Sequence, residues 1–540
     1  MVNDIKYKVC ITAAGQAKRN TYSEGTNKAL LPINNRAVIS HMITKFNEDI
    51  EFVIALGHES EQVRSYLKLA WPKRKFVFVN VDKFSGIGSG PGHSLLCCKD
   101  VLQCPFILIS SDTIVKEDIP IPDSNWVGIA PVNKIDSFLV LDVDKEKNVK
   151  AFFDKKSKKF IESKGKDYSS ISNSAFIGLA GIYDYKSLWE GLSEDGQLIN
   201  GEKQISNGLE NIQKKGLKAF QFTWFDTGTD KTYEMACTKL NKSKLLSKPE
   251  ESIFFENGTV IKYFRNKNRL NELVKRSKYL EKYVPKVIDS SNNFLAYRYI
   301  NGRIISDYHD PIIFKNFLDF MFRSIWSKIN ISESKQKYFR DALKKFYIDK
   351  TLSRINQYYE KRGYVDKAQI INGKKIPKLI DLINAIPLDN ILNGTPVLFH
   401  GDPQPENILV DGKGNFILLD WRQNFGGILE FGDLYYDLGK IHHALILSQK
   451  IIRHEQYAIN IDSEQKTVNY SFDIRLNLLR FLNVFESFII EKKWSLSKTR
   501  MMSALIWLNI AALHHSPYDD LLFHHGKAAL NEILEGEWSI

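Results

Sequence analysis

Tyr7-Lys8-Val9-Cys10-Ile11-Thr12-Ala13-Ala14-Gly15 is an apolar run that ends in small residues. It predicts a buried strand that enters a loop whose backbone can approach a ligand closely. Strand-like runs recur at Phe52-Val53-Ile54-Ala55-Leu56, at Phe76-Val77-Phe78-Val79-Asn80-Val81 and at Phe106-Ile107-Leu108-Ile109. Polar, helix-like segments such as Glu61 to Leu67 separate them. Strands that alternate with helices predict an α/β class: a parallel sheet with helices on both faces. The pattern closes near Tyr233 to Leu240.

Beyond it, residues 241–251 are polar and read as a linker between a first domain, 1–240, and a second, 252–540. Ser252 to Glu256 and Thr259 to Phe264 flank Asn257-Gly258, the pairing that suits a two-residue type I′ hairpin turn. Ile312 to Ile329 and Leu476 to Ile490 are amphipathic. The second domain therefore reads as α+β with two lobes, a small sheet lobe over about 252–305 and a helical lobe over about 306–540.

A chain of 540 residues exceeds one ordinary core. Hydrophobic content of 43% and charged content of 26% are those of a soluble globular protein. No apolar run reaches the roughly 18 residues of a membrane span, and no signal peptide is evident, so a cytoplasmic protein is expected. Cys10, Cys97, Cys98, Cys104 and Cys237 are odd in number and lack metal-ligand spacing, which reads as reduced thiols. The net charge of +12 comes from dispersed lysines. It suits phosphate-bearing small molecules; no nucleic-acid partner is expected, and homo-oligomerisation stays open.

Two constellations carry chemistry. In His400-Gly401-Asp402-Pro403-Gln404-Pro405-Glu406-Asn407, an Asp stands five residues before an Asn, and Asp420 follows a second hairpin, Ile408 to Leu419. Phosphoryl transfer from ATP needs such a set: Asp402 to orient the attacking hydroxyl, Asn407 and Asp420 to hold Mg²⁺ on the phosphates. Lys262, on the strand after the Asn-Gly turn, is the candidate phosphate lysine, with Glu272 as its ion partner. Tyr297-Arg298-Tyr299 reads as the hinge that meets adenine. At the other end of the chain, the backbone of Ala13-Ala14-Gly15 can donate to a triphosphate, with Arg19 and Lys28 adding charge. The paired histidines His442-His443 and His514-His515 read as core or pocket residues, since neighbours on a helix point apart.

With Asn27-Lys28-Ala29-Leu30-Leu31-Pro32-Ile33 downstream, the first loop resembles the signature of the sugar-nucleotidyltransferase family, including its cytidylyltransferases. The resemblance implies a Rossmann-like nucleotidyltransferase domain. It extends to Gly86 to Leu95, where Gly90 lies in a loop near base and ribose, and to Ser110-Ser111-Asp112 and Trp224-Phe225-Asp226, which supply the metal carboxylates Asp112 and Asp226. Val149 to Lys155 matches a segment in which Lys155 contacts the substrate phosphate. Ala17, Asn27 and Ser111 stand where the family has Gly, Pro and Gly.

The run from His400 to Asp420 resembles the aminoglycoside phosphotransferase and choline kinase family. That implies a kinase-like domain, with His400 stabilising the loop and Asp437 anchoring it. The two resemblances together match fused nucleotidyltransferase–phosphotransferase proteins of bacterial capsule and lipopolysaccharide synthesis. They imply a bifunctional enzyme that uses ATP, a second NTP and Mg²⁺. It would phosphorylate a small alcohol or sugar, then join a nucleoside monophosphate to that phosphate, with CTP favoured and GTP or UTP open. The rival readings are one active enzyme with a regulatory second domain, a non-catalytic nucleotide-binding scaffold, and an antibiotic-modifying kinase.

Overall fold

The computed structural model describes residues 5–537 except 17, 133–137, 154–173, 195–197, 200, 241–249, 463 and 465. The chain forms two compact units, Met1–Lys267 with Asp289–Tyr299, and Asn268–Ile288 with Ile300–Ile540.

The first unit is built on a nine-stranded sheet. Its parallel heart runs Phe106–Ser110, Lys8–Ala13, Phe52–Leu56, Phe76–Asn80. Successive side chains on a strand point to opposite faces. Val9, Ile11, Ile54 and Ile107 therefore fill one core, while Cys10, Val53, Ala55 and Leu108 fill another. Burial on both faces is what makes these strands continuous apolar runs in the sequence. The expected parallel strands form this heart, and antiparallel strands extend it. Ser174–Ile182 joins Phe106–Ser110 antiparallel and carries Trp126–Pro131 and Val140–Val143, also antiparallel. The sheet is mixed.

The Asn-Gly hairpin forms between Glu251–Glu256 and Thr259–Phe264, with φ 47° at Asn257 and φ 70° at Gly258, the left-handed pair that this turn requires. It belongs to a four-stranded sheet with Phe294–Arg298 and Val287–Ser291. The grouping of this sheet differs from the sequence division. Its strands Glu251–Glu256, Thr259–Phe264 and Phe294–Arg298 cluster with the first unit, because Phe254, Ile261 and Phe294 share a core with Val63, Tyr66 and Leu67 of the helix Ser60–Ala70. Tyr66 packs on Phe254 and Phe294 at ring-centroid distances of 5.1 and 6.0 Å. Each buried aromatic side chain contributes roughly 1.5–3 kcal/mol. A buried carboxylate, Glu256, completes the contact through Arg36 Nε at 3.1 Å.

The second unit is mainly helical. Pro311–Ser324 and Leu476–Glu491 meet through Phe314 stacked on Phe481 at 4.7 Å. Leu496–Ala511 is buried nearly all round, through Met502, Leu505, Trp507 and Leu508 among others, and so shows no apolar stripe. The hairpin of Ile408–Asp411 and Phe416–Leu418 carries Gly302–Ile304 on its edge. A second small sheet, Lys374–Ile376, Gln369–Ile371, Thr467–Phe472 and Tyr457–Asp462, was not foreseen from the sequence; its strands are short or half exposed. Among the described residues no helix is long and apolar enough to cross a membrane.

Candidate functional site

In the first unit, strand Lys8–Ala13 delivers Ala13, Ala14 and Gly15 to the C-terminal end of the parallel strands, where open α/β sheets bind ligands. Asn27 organises what lies beside them. Its buried amide donates to Ala13 O at 2.9 Å and to His58 O at 2.8 Å, and its Oδ1 accepts from Ala29 N at 2.9 Å. That clamp holds Lys28, whose Nζ lies 2.6 Å from Asp112 Oδ2. Asp112 also accepts from Ser110 Oγ at 2.6 Å.

Asp226 is brought in by strand pairing. Trp224–Asp226 runs antiparallel to Thr113–Val115 with Asp226 opposite Thr113, and Thr227 N donates to Asp112 O at 3.0 Å. A Cβ placed on Gly228 would lie 3.1 Å from both Asp112 Oδ2 and Asp226 Oδ1, so the two carboxylates face one space that only glycine leaves open. Burial alone would raise the Asp112 carboxyl, but Lys28 and Ser110 outweigh it and hold it below the usual carboxylate range. Asp226 is pushed up, by burial first and then by the Asp112 charge. Paired oxygens in mutual repulsion beside one cation fit a divalent metal such as Mg²⁺.

Arg19 is exposed on the loop, its carbonyl accepting from Asp230 N at 3.3 Å. Gly90 (φ 125°) opens helix Pro91–Leu96, and a Cβ there would strike Lys203 O at 2.6 Å, so close approach of the protein's own backbone requires this glycine. Lys155 lies outside the described residues, as does Ala17. Cys97, read as lacking metal-ligand company, has some: His93 lies four residues earlier and Asp82 on the preceding loop, with His93 Nε2 2.6 Å from Asp82 Oδ1. Only folding brings Asp82 to that pair.

In the second unit the loop after Phe399 is held from below. Asp437 accepts from His400 N at 2.8 Å, Gly401 N at 2.6 Å and Trp326 Nε1 at 3.0 Å. Arg276, fully buried, donates to the carbonyls of Leu398, Phe399 and Leu429. His400 is buried, its Nδ1 accepts from Asp402 N at 3.3 Å, and burial pushes its pKa down to about 3, so it stays neutral. Gly401 (φ 88°) brings the chain so close to Arg422 that a Cβ would lie 2.4 Å from Arg422 Cβ.

Asn407 donates to Asp402 O at 3.0 Å and Asp402 Oδ2 at 3.3 Å, which leads its amide oxygen away from Asp402. Leu419 N donates to Asn407 O at 2.8 Å and seats Asp420 (φ 58°) on the neighbouring strand end. Sequence reasoning missed Lys440, whose Nζ lies 2.7 Å from Asp402 Oδ1. Burial opposes ionisation of Asp402, but Lys440 outweighs it and holds the carboxyl below its usual range. The available signal was its position three residues after Asp437 on helix Leu434–Ile446.

Glu272, in the second unit, accepts from Asn424 Nδ2 at 2.6 Å. Lys262 and Tyr299 fall in the first unit. Lys262 Nζ lies 5.7 Å from the Tyr297 ring centroid, and Tyr299 is exposed, its N–H donating to Gly258 O at 2.8 Å. His442 meets Ser503 and Glu486 while His443 meets the Lys440 carbonyl, so the adjacent rings serve different partners. His514 packs on Tyr518, and His515 is exposed.

No known family model matches the chain. Over 227 residues it is 25% identical to the bifunctional protein GlmU of Methanocaldococcus jannaschii, a match covering 40% of this chain and 50% of that protein. Over 272 residues it is 24% identical to the protein of the same name from Methanococcus maripaludis, covering 47% and 61%. The chain spans about half the length of the curated relatives it matches first. Among solved structures, the CTP:phosphocholine cytidylyltransferase of Streptococcus pneumoniae is 18% identical with a TM-score of 0.34, over 44% of this chain and 100% of that one. A UDP-glucose pyrophosphorylase is 19% identical with a TM-score of 0.35, over 43% and 97%. The N-terminal part of the chain resembles the sugar nucleotidyltransferases.

Proposed function

We propose that the chain is a bifunctional enzyme, a nucleotidyltransferase in its first unit and a small-molecule kinase in its second. The observation that carries the first activity is the convergence of Lys28, Asp112 and Asp226 beside the loop Ala13-Ala14-Gly15. In this reading a phosphate oxygen of the acceptor bonds to the α-phosphorus of an NTP, the α–β bridging bond breaks, and pyrophosphate leaves. Asp112 and Asp226 would hold Mg²⁺, whose charge offsets that building on the phosphates. Lys28 keeps Asp112 ionised and adds positive charge at the same point. The relatives' likeness over this part supports the reading.

The kinase reading rests on Asp402, Asn407 and Asp420 around one loop. The acceptor oxygen would bond to the γ-phosphorus as the bond to the β–γ bridging oxygen breaks, releasing ADP. Asp402, ionised and held by Lys440, orients the hydroxyl and accepts its proton. Asn407 and Asp420 would hold Mg²⁺ on the leaving phosphates. The kinase product bears the phosphate that the other unit consumes, which orders the two steps. A nucleotide-activated precursor of a surface polysaccharide is the class of product, with CTP the favoured NTP.

The test is a panel of alcohols, sugars and their phosphates with ATP and the four NTPs, read by mass. Asp112→Ala and Asp226→Ala should stop pyrophosphate release while phosphorylated acceptor accumulates. Asp402→Asn should stop ADP formation, by roughly 10²–10⁴-fold, and spare nucleotidyl transfer to a supplied phosphate. Pyrophosphate release at the parent rate in both first-unit variants would remove the carboxylate pair from the reaction.

A further inference from the structure

Four basic side chains share one wall of the second unit, and one of them, Lys440, meets Asp402. Lys350 and Arg354 lie one turn apart on helix Lys350–Arg362, directly after a π-helical turn at Lys345–Asp349. Such turns gather at functional sites. Arg422 follows Asp420 by two residues, and Lys440 reaches in from helix Leu434–Ile446. Lys350 Nζ and the Arg422 guanidinium lie against one ring, 4.5 and 4.7 Å from the Phe346 centroid. Arg422 Nη1 donates to Tyr436 Oη at 3.3 Å, and its Nε is buried with no hydrogen-bond partner among the described residues. Arg354 Nη1 donates to Gln357 Oε1 at 2.8 Å. Lys440 meets a carboxylate, that of Asp402. Burial first, and then the charges of Arg422, Lys440 and Arg354, push the Lys350 pKa down to about 6, so at neutral pH it takes up its proton when an anion pairs with it. All four side chains are partly exposed, so a solute can reach them.

Gathering like charges on a half-buried wall is unfavourable unless an anion pairs with them. A cationic acceptor would meet repulsion here, and a neutral one would leave the repulsion in place. We propose that this wall is an anion site: the hydroxyl compound phosphorylated at Asp402 carries its own acidic group, a phosphate or a carboxylate, held by Lys350, Arg354 and Arg422. The proposal rests on the kinase reading of Asp402 given above and narrows its substrate class. It departs from acceptors of the choline type.

The experiment uses the full chain with ATP and Mg²⁺. Glycerol, ribitol and glucose are each offered beside their monophosphates and their carboxylic acids, with choline as the cationic arm; ADP formation is measured. One anionic series should exceed its neutral parent by about 10-fold or more in kcat/KM, and the better series names the acid. Lys350→Met should raise KM for that acceptor by about 10–100-fold with kcat changed little, as loss of a charge-assisted contact does. Arg354→Met, one turn further along the same helix, is the second variant. Thermal melting with inorganic phosphate reads the site without turnover. Lys350→Met should melt higher than the parent without phosphate and lose part of the phosphate-induced rise. Neutral or cationic acceptors turned over as well as anionic ones, with KM unmoved in both variants, would overturn the anion site and leave the kinase standing. A phosphate-dependent rise lost in Lys350→Met, with no transfer to any acceptor, would overturn the kinase reading and with it the acceptor assignment.

Discussion

Lys440 decides how Asp402 behaves. Its ammonium, 2.7 Å away, outweighs burial and keeps the carboxyl ionised below the usual carboxylate range. Replacing it removes the neighbouring positive charge and leaves burial, which raises a carboxyl pKa. The sign follows: activity that needs ionised Asp402 is lost as pH falls through its pKa, and Lys440→Met moves that acid limb to higher pH. A pH profile of ADP formation checks this; an unmoved limb would separate Lys440 from the ionisation of Asp402. Asp226 offers the complementary case, pushed up by burial and Asp112. Protons and Mg²⁺ then compete for it, and Mg²⁺ affinity for pyrophosphate release should weaken on acidification above the ordinary carboxylate range. Asp226→Asn should flatten that dependence, as measured by Mg²⁺ titrations across pH.

At the scale of elements, both candidate sites are made by backbone that crosses at short range. Gly401 and Gly228 mark the crossings. A Cβ on Gly401 would lie 2.4 Å from Arg422 Cβ at a φ of 88°. Gly401→Ala should therefore displace the loop and cost about 1–3 kcal/mol or more. The expected readouts are a lower melting temperature and loss of ADP formation, with pyrophosphate release from a supplied phosphate kept. Gly228→Ala places its methyl 3.1 Å from two carboxylate oxygens at an ordinary φ. It should weaken metal binding more than stability, so a higher Mg²⁺ requirement with a near-parent melting temperature is expected. Unfolding of Gly228→Ala would instead make that glycine a packing residue.

For the whole molecule, the consequential finding is where the small sheet belongs. Phe254, Ile261 and Phe294 bury against the helix Ser60–Ala70 of the first unit. A chain ending at 240 lacks Phe254 and Glu256 and exposes Tyr66, which is fully buried in the intact unit. Such a fragment should bind a hydrophobic dye and melt below the first transition of the full chain, since an uncovered apolar face is an association site. Phe254→Ala in the full chain should cost about 3–5 kcal/mol by cavity formation. A fragment 1–240 with the parent's melting temperature and no dye binding would show that the nucleotidyltransferase-like unit closes without the sheet.

The strands at Lys8–Ala13, Phe52–Leu56 and Phe106–Ser110 were legible because burial on both faces writes an unbroken apolar run. The Asn257-Gly258 turn and the hairpin at Ile408 to Leu418 were legible because local conformation demands particular residues there. Asp112, Asp226 and Asp420 stood out because each sits at the end of such a strand, and Lys28, Asp402 and Asn407 by their charge or spacing within a motif. What no local pattern could show is which elements pack together. The antiparallel additions to the main sheet, the allegiance of the strands after 250, and the meeting of Lys350, Arg354, Arg422 and Lys440 all join residues far apart in sequence. Local sequence determines backbone conformation and the faces an element must bury; the partner that covers a face is chosen by tertiary packing, and with it the company each charge keeps.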